Sequence, residues 1–235
     1  MPRPRHARGG GRGGGGVRAL VTGGSGKLLR AVVPLLRARG WEVVATGTRD
    51  GDVSGTEGAR AVVARAVDEL GGLDVLVNGA AAGFAPRPVE EVREADLDEA
   101  LGATVKGSFL VTQAALPHLR ESRGVVVMVE DVAGYQPWPS FAPHCAAKAA
   151  QAMLTRVLAR AVAPEVRVVG LAPGPVAVEA GQEERRARET ALGRVGSAAD
   201  VADAIAYLAG AEYVTGASLV LDGGRLLQSG RAPDA

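Results

Sequence analysis

The chain has one cysteine, Cys145, three lysines and only 3% aromatic residues among its 235 positions. A single thiol excludes an internal disulfide and fits a reducing compartment, so a cytoplasmic protein is expected. There is no run of about eighteen apolar residues to span a membrane, and the N-terminus lacks the apolar core of a secretion signal. The three histidines, His6, His118 and His144, share no metal-ligand spacing with other residues, and no metal site is inferred. Because lysine is so scarce beside arginine, alanine and glycine, each one is worth inspecting. Lys27 and Lys148 fall in the motifs described below; Lys106 does not.

What is abundant is apolar content, at 47%. In a chain of this length that suffices for one well-cored domain and falls short of two. Residues 1 to 18 carry five arginines (Arg3, Arg5, Arg8, Arg12, Arg18) and no acid, whereas the remainder holds 22 basic against 26 acidic residues. A mildly acidic body gives no reason to expect nucleic acid on the folded part. Residues 1–16 are a Gly/Arg-rich tail with too little apolar side chain to repay the entropy of ordering. Their Arg-Gly-Gly repeats resemble disordered RNA-binding segments, although a solvated extension is the plainer reading. Residues 17–235 are expected to form a single domain.

From Val17 onward, short β-like runs alternate with amphipathic stretches, the pattern of a doubly wound parallel sheet of α/β, Rossmann-like class. Strands are expected at 18–22, 42–46, 75–78, 124–129, 167–172 and 218–221. Helices are expected at 27–39, 56–70, 96–120, 142–162, 183–191 and 198–209. Ser54 and Glu57 read as a capping box for the second helix, and Pro164 ends the long helix before it. Only about five residues separate the second strand from that capping box, whereas a parallel return needs roughly ten to twelve. The sheet is therefore expected to lack one edge strand and its helix.

Between the first strand and first helix lies Thr22-Gly23-Gly24-Ser25-Gly26-Lys27-Leu28. A glycine-rich turn there lets backbone N–H groups approach a pyrophosphate at the positive end of a helix. Alone it is a weak signal, since such turns also merely reverse the chain. A Walker-type loop is excluded because Leu28, not Ser or Thr, follows Lys27.

Four further segments follow in order: Leu73-Asp74-Val75-Leu76-Val77-Asn78-Gly79-Ala80-Ala81, His144 with Lys148, Ala172-Pro173-Gly174-Pro175-Val176, and Tyr213-Val214-Thr215-Gly216 through Leu221-Asp222-Gly223-Gly224. Together with the turn they resemble the short-chain dehydrogenase/reductase family over residues 17 to 227. Phe84-Ala85-Pro86-Arg87-Pro88, Asp131 and the basic residue in the turn look most like its pteridine reductase-like branch. The resemblance implies a nicotinamide cofactor along the carboxyl edge of the sheet and a small carbonyl or imine substrate above it. By position, Thr22, Gly23, Gly24, Ser25, Gly26, Lys27 and Leu28 would hold the pyrophosphate. Asn78, Gly79, Ala80 and Ala81 would line the adenosine ribose and sheet edge, and Asp52 and Val53 would meet adenine. Lys148 would bond the nicotinamide ribose, and Pro173, Gly174, Pro175 and Val176 would flank the carboxamide. Lys27 and Arg49 would neutralise a 2′-phosphate, which favours NADP over NAD. The family also implies a homodimer or homotetramer paired through two long helices and the C-terminal strand.

The sequence departs from this pattern at three points. Leu29 stands where a glycine would allow close packing of helix on strand, and is expected to push the helix outward. The missing strand strips a wall from the adenine pocket. The catalytic set, Asn-Ser-Tyr-Lys in the family, corresponds to Thr104, Asp131, His144 and Lys148. On a helix, His144 and Lys148 share one face. Histidine in the tyrosine seat removes a phenol acid, and an Asp131 carboxylate beside a protonated ring would restore a proton donor. Tyr135 is a conceivable substitute acid. Three functions stay open at this point: an NADP(H)-dependent reductase of a small carbonyl or pterin-like substrate, a redox-silent binding or assembly member, and a non-redox enzyme using His144 as base.

Overall fold

A computed structural model describes residues 16–83 and 85–228. The Gly/Arg-rich tail expected at 1–16 lies, but for Gly16, outside the described residues, as do Phe84 and the last seven positions. Six parallel strands form one sheet in the order β2-β1-β3-β4-β5-β6. They are β1 (Arg18–Thr22), β2 (Glu42–Thr46), β3 (Val75–Asn78), β4 (Val125–Val129), β5 (Arg167–Pro173) and β6 (Ser218–Leu221). β2 pairs with β1 alone, so the expected loss of an edge strand is present in the fold. The chain passes from β2 straight into α2 (Thr56–Leu70).

Strand alternation sorts the side chains into two cores. Ala19, Val21, Val75, Val77, Val125, Val127, Val169 and Leu171 face one way, against α1 (Lys27–Ala38) and α7 (Ala198–Gly210). Leu20, Val44, Leu76, Val126, Met128 and Val168 face the other. There they meet α2, α4 (Gly107–Ser122) and α5 (Ala142–Val162). Within α1 the buried residues Leu29, Val32, Val33 and Leu36 fall on a single helical stripe, which is what docks it on the sheet.

Three local expectations are corrected. The helix expected over 96–120 is α3 (Glu94–Leu101), a π-helical turn over Gly102–Lys106, then α4. Glycines at 102 and 107 bracket that wider turn, which the 3.6-residue period does not register. α2 is capped at Gly55 without a side chain, because Ser54 Oγ donates instead to Asp52 Oδ1 at 2.7 Å. The charged segment after β5 is helical only as α6 (Glu183–Arg188). No described helix is long and apolar enough to cross a membrane.

Candidate active site

The carboxyl ends of the strands open onto a cavity of about 730 Å³, walled by the glycine turn, the ends of β2 to β5 and the first turns of α5. At its glycine end, Gly23 sits at φ +71°, and a β-carbon there would run into the Gly79 carbonyl. A β-carbon on Gly24 would lie 2.8 Å from that of Ala45. These glycines let the turn lie flat on the strand ends. Gly26 caps α1 with no side-chain hydrogen bond, so the N–H groups of its first turn are left for an anion. Ser25, Gly26, Lys27, Leu28 and Leu29 all line the cavity beside them. This cradle fits a pyrophosphate.

Leu29 is 3% exposed and packs in the sheet–helix seam. Its terminal methyl takes the space that a β-carbon on Gly79 would need, so the bulk expected to push the helix outward is taken up against a glycine. Two of the residues placed at the cofactor by position serve the scaffold beneath it. Thr22 Oγ1 accepts from the N–H groups of Gly79 and Ala80 at 3.2 and 3.3 Å, tying β1 to the end of β3. Asn78 Nδ2 donates to Thr112 Oγ1 at 2.8 Å and to the Ser108 carbonyl at 3.3 Å, tying β3 to α4. Gly79, Ala80 and Ala81 line the cavity; Thr22, Gly24, Asn78, Arg49 and Pro175 stand outside its wall.

In place of the missing strand, residues 47–53 fold back on themselves. Asp50 accepts from Gly47 N–H at 2.8 Å and pairs with Arg65 at 2.6 Å, and both contacts hold its carboxyl below the usual range. Asp52 is likewise lowered, first by the Ser54 hydroxyl. Asp52 and Val53 do line the cavity, and Val53 lies against Gly107, where a β-carbon would come within 3.2 Å of its methyl group. That contact seats the 47–53 segment on α4. Lys27 is exposed at the rim, and Arg49 is exposed away from the wall.

At the other end, α5 brings His144 and Lys148 to one face, both buried, at 6% and 5% exposure. Asp131 Oδ2 is 3.4 Å from His144 Nε2, while Oδ1 accepts the Ala133 N–H at 2.8 Å and so holds the turn after β4. The Trp138 ring stacks on His144 with centroids 6.4 Å apart, and Arg225 lies 5.0 Å over the Trp138 ring. Lys148 Nζ donates to the Val129 carbonyl at 2.7 Å and to Gln151 Oε1 at 3.0 Å, leaving one of its three donors for another partner. Burial brings Lys148 down to about 8, against the pull of Asp131 and Glu130. Thr104 sits in the π turn, its carbonyl accepting from Ser108 Oγ and from Gln151 Nε2. It lines a second cavity of about 350 Å³, with Arg87, Asp96 and Ser140, which His144 shares with the first. Pro173, Gly174 and Val176 close the far wall.

Tyr135, the conceivable substitute acid, stands outside the cavity wall and donates to Glu130 at 2.6 Å; burial and that bond push its phenol up to about 12. Glu130 and Gln151 are the site residues that motif reasoning misses. A signal for Gln151 exists in the sequence: His144, Lys148, Gln151 and Thr155 run down α5 at spacings of four, three and four, a polar stripe on a buried face. Glu130 has a weaker one, an acid directly following an all-apolar strand.

Residues 16–225 match the family described as Enoyl-(Acyl carrier protein) reductase. Tropinone reductase-like 3 of Erythroxylum coca is 33% identical, covering 89% of this chain and 83% of that protein. Dehydrogenase/reductase SDR family member 4 of Homo sapiens is 30% identical over 89% of this chain and 78% of its own length. The crystal structure of 3-ketoacyl-(acyl-carrier-protein) reductase from Brucella melitensis complexed with NADH superposes with a TM-score of 0.83 at 27% identity, covering 90% of this chain and 98% of that one. A family match spanning nearly all the described residues, relatives of this identity and a shared sheet lead to one conclusion: the chain belongs to the short-chain dehydrogenase/reductase family.

Proposed function

We propose that this protein is an NADP(H)-dependent reductase of a small carbonyl or pterin-like substrate. The observation that carries the reading is the continuity of the large cavity, from the uncapped first turn of α1 to the face bearing His144 and Lys148. A bound nicotinamide would supply the hydride. The N–H groups at the start of α1 bind its pyrophosphate, and the third donor of Lys148 takes a ribose hydroxyl. His144, aligned by Asp131 and by the Trp138 ring, gives its proton to the oxygen or nitrogen next to the carbon reduced. The smaller cavity on the far side of His144 takes the remainder of the substrate.

Preference for the 2′-phosphate rests on Lys27 at the rim and on the engagement of both nearby acids, Asp50 by Gly47 and Arg65, Asp52 by Ser54. Membership of the family, and the carbonyl chemistry in the name of the Brucella ketoacyl reductase, favour the carbonyl arm of the substrate class. Pairing of copies through α4 and α5, with cytoplasmic residence, completes the reading. Phe109 on α4 and Met153 and Val157 on α5 present apolar surface for such pairing.

Calorimetric titration with NADPH and NADH tests the cofactor. Micromolar NADPH binding that exceeds NADH binding is expected, and no binding of either at millimolar concentration would sink the proposal. Oxidation of NADPH over a panel of ketones, aldehydes and dihydropterins, by the wild type and by His144→Tyr, tests the proton donor. Turnover by the tyrosine variant alone would make the natural protein redox-silent.

A further inference from the structure

Two acids follow β4 in succession, and the second, Asp131, is the one turned to His144. The first, Glu130, is 2% exposed, and its carboxylate is enclosed by hydroxyls from three different parts of the chain. Tyr135 donates to Oε2 at 2.6 Å, while Thr155 of α5 and Ser218 of β6 donate to Oε1 at 2.7 and 3.0 Å. Room for it exists only because residue 170 of β5 is glycine; a β-carbon there would collide with Oε1. Thr155 Oγ1 also reaches the Gln151 carbonyl at 3.2 Å, so the clasp is shared between the carboxyl group and α5.

A buried acidic side chain is stabilised by a cation nearby. Lys148 lines the same cavity, buried, and both of its hydrogen-bond partners, the Val129 carbonyl and the Gln151 amide, are neutral. Lys148 finds no charge neutralisation in its own hydrogen bonds, and Glu130 lines the cavity beside it. Asp131 first and Glu130 second favour the Lys148 ammonium against its burial.

We propose that Glu130 is a positioning residue of this site. Its clasped carboxylate offsets the Lys148 ammonium across the cavity wall and anchors the 131–135 turn so that Asp131 stays on His144. The titratable and charged groups around the pair are Asp131 and Tyr135 from the turn after β4, and His144 and Arg156 from α5, Arg156 facing the Tyr135 phenol. The role does not depend on a cofactor in the cavity, so it stands or falls separately from the reductase reading.

The chain has only three lysines, Lys27, Lys106 and Lys148, so uniform ¹³C labelling of lysine leaves three ε-carbon signals to follow by NMR in the full-length protein. Lys148→Arg assigns the third. A wild-type Lys148 midpoint near 8 is expected. Glu130→Gln, which keeps size and polarity but removes the charge, is expected to lower that midpoint by about one pH unit or more, and Glu130→Asp to restore most of it. Glu130→Ser, smaller and neutral, reads the same quantity if the glutamine variant does not fold. An unchanged Lys148 midpoint in either folded neutral variant would overturn the proposal. So would a wild-type midpoint below about 7, the range of a buried lysine with no compensating charge.

Discussion

The Leu29 side chain fills the space that a β-carbon at position 79 would occupy, so the first turn of α1 and the end of β3 are fitted to each other. Gly79 is not among the positive-φ glycines, which means alanine is excluded there by Leu29 and by the Thr22 carbonyl, 3.0 Å away, rather than by backbone conformation. Gly79→Ala is expected to destabilise by about 1–3 kcal/mol through overpacking. Leu29→Ala, emptying a buried site, is expected to cost about 2–5 kcal/mol. The double variant is expected to be more stable than the sum of the two predicts, since each relieves the other's defect. Urea unfolding of the four proteins measures that coupling; strict additivity would mean the two residues do not meet.

The loss of the edge strand exposes β2, and the chain closes part of the new edge with side chains. Glu42 N–H turns inward to the Val17 carbonyl, so by alternation the Val43 carbonyl points to the free side. Arg37 from α1 reaches over and donates to it at 2.8 Å. Asp50 takes the outward Gly47 N–H in the same way. Arg37→Ala is expected to lower stability by about 0.5–1.5 kcal/mol. It is also expected to raise light scattering on heating at high concentration, because an open β edge invites pairing with another chain. A variant as resistant to aggregation as the wild type would show that this bond does not protect the edge.

How much of this was legible beforehand depended on the range of the interaction concerned. The alternation of valine-rich runs with amphipathic stretches located all six strands to within a residue, because period and burial are local properties of the chain. The missing edge strand was legible from a length argument alone. The π turn at Gly102–Lys106 was not, since it changes the helix by one residue without altering composition. Leu29 was read as a defect because its partner, Gly79, lies fifty positions away. The Glu130 clasp was invisible for the same reason: Tyr135, Thr155 and Ser218 converge on it only after the sheet has formed.

Lys148 also makes stability depend on pH. Its folded value of about 8 lies below the ordinary 10.5. Below pH 8 both states carry the proton, and the folded state bears the cost of a buried ammonium. Between pH 8 and 10.5 the unfolded chain holds a proton that the folded chain has lost, so stability rises with pH over that window. The gain is on the order of 3 kcal/mol at most. Lys148→Met removes the group and its slope. The difference in unfolding free energy between wild type and Lys148→Met, measured in urea at pH 7.5 and pH 10, is expected to move in favour of the wild type at the higher pH. A constant difference would place the lysine's folded value at its unfolded one.

Asp131 turns its two oxygens to different partners, Oδ1 holding the Ala133 N–H and Oδ2 facing His144. Asparagine can keep the first contact through its carbonyl oxygen, and it removes the negative charge from the second. Asp131→Asn is therefore expected to fold normally and to bind NADPH within about twofold of wild type. Its kcat on the substrate class identified by the panel is expected to fall by roughly a hundredfold or more, the usual weight of a positioned acid. KM should change little, since the group acts on proton transfer and not on substrate binding. Should the NADPH affinity drop while kcat holds, Asp131 would belong to the cofactor wall, and His144 would be working without a carboxylate partner.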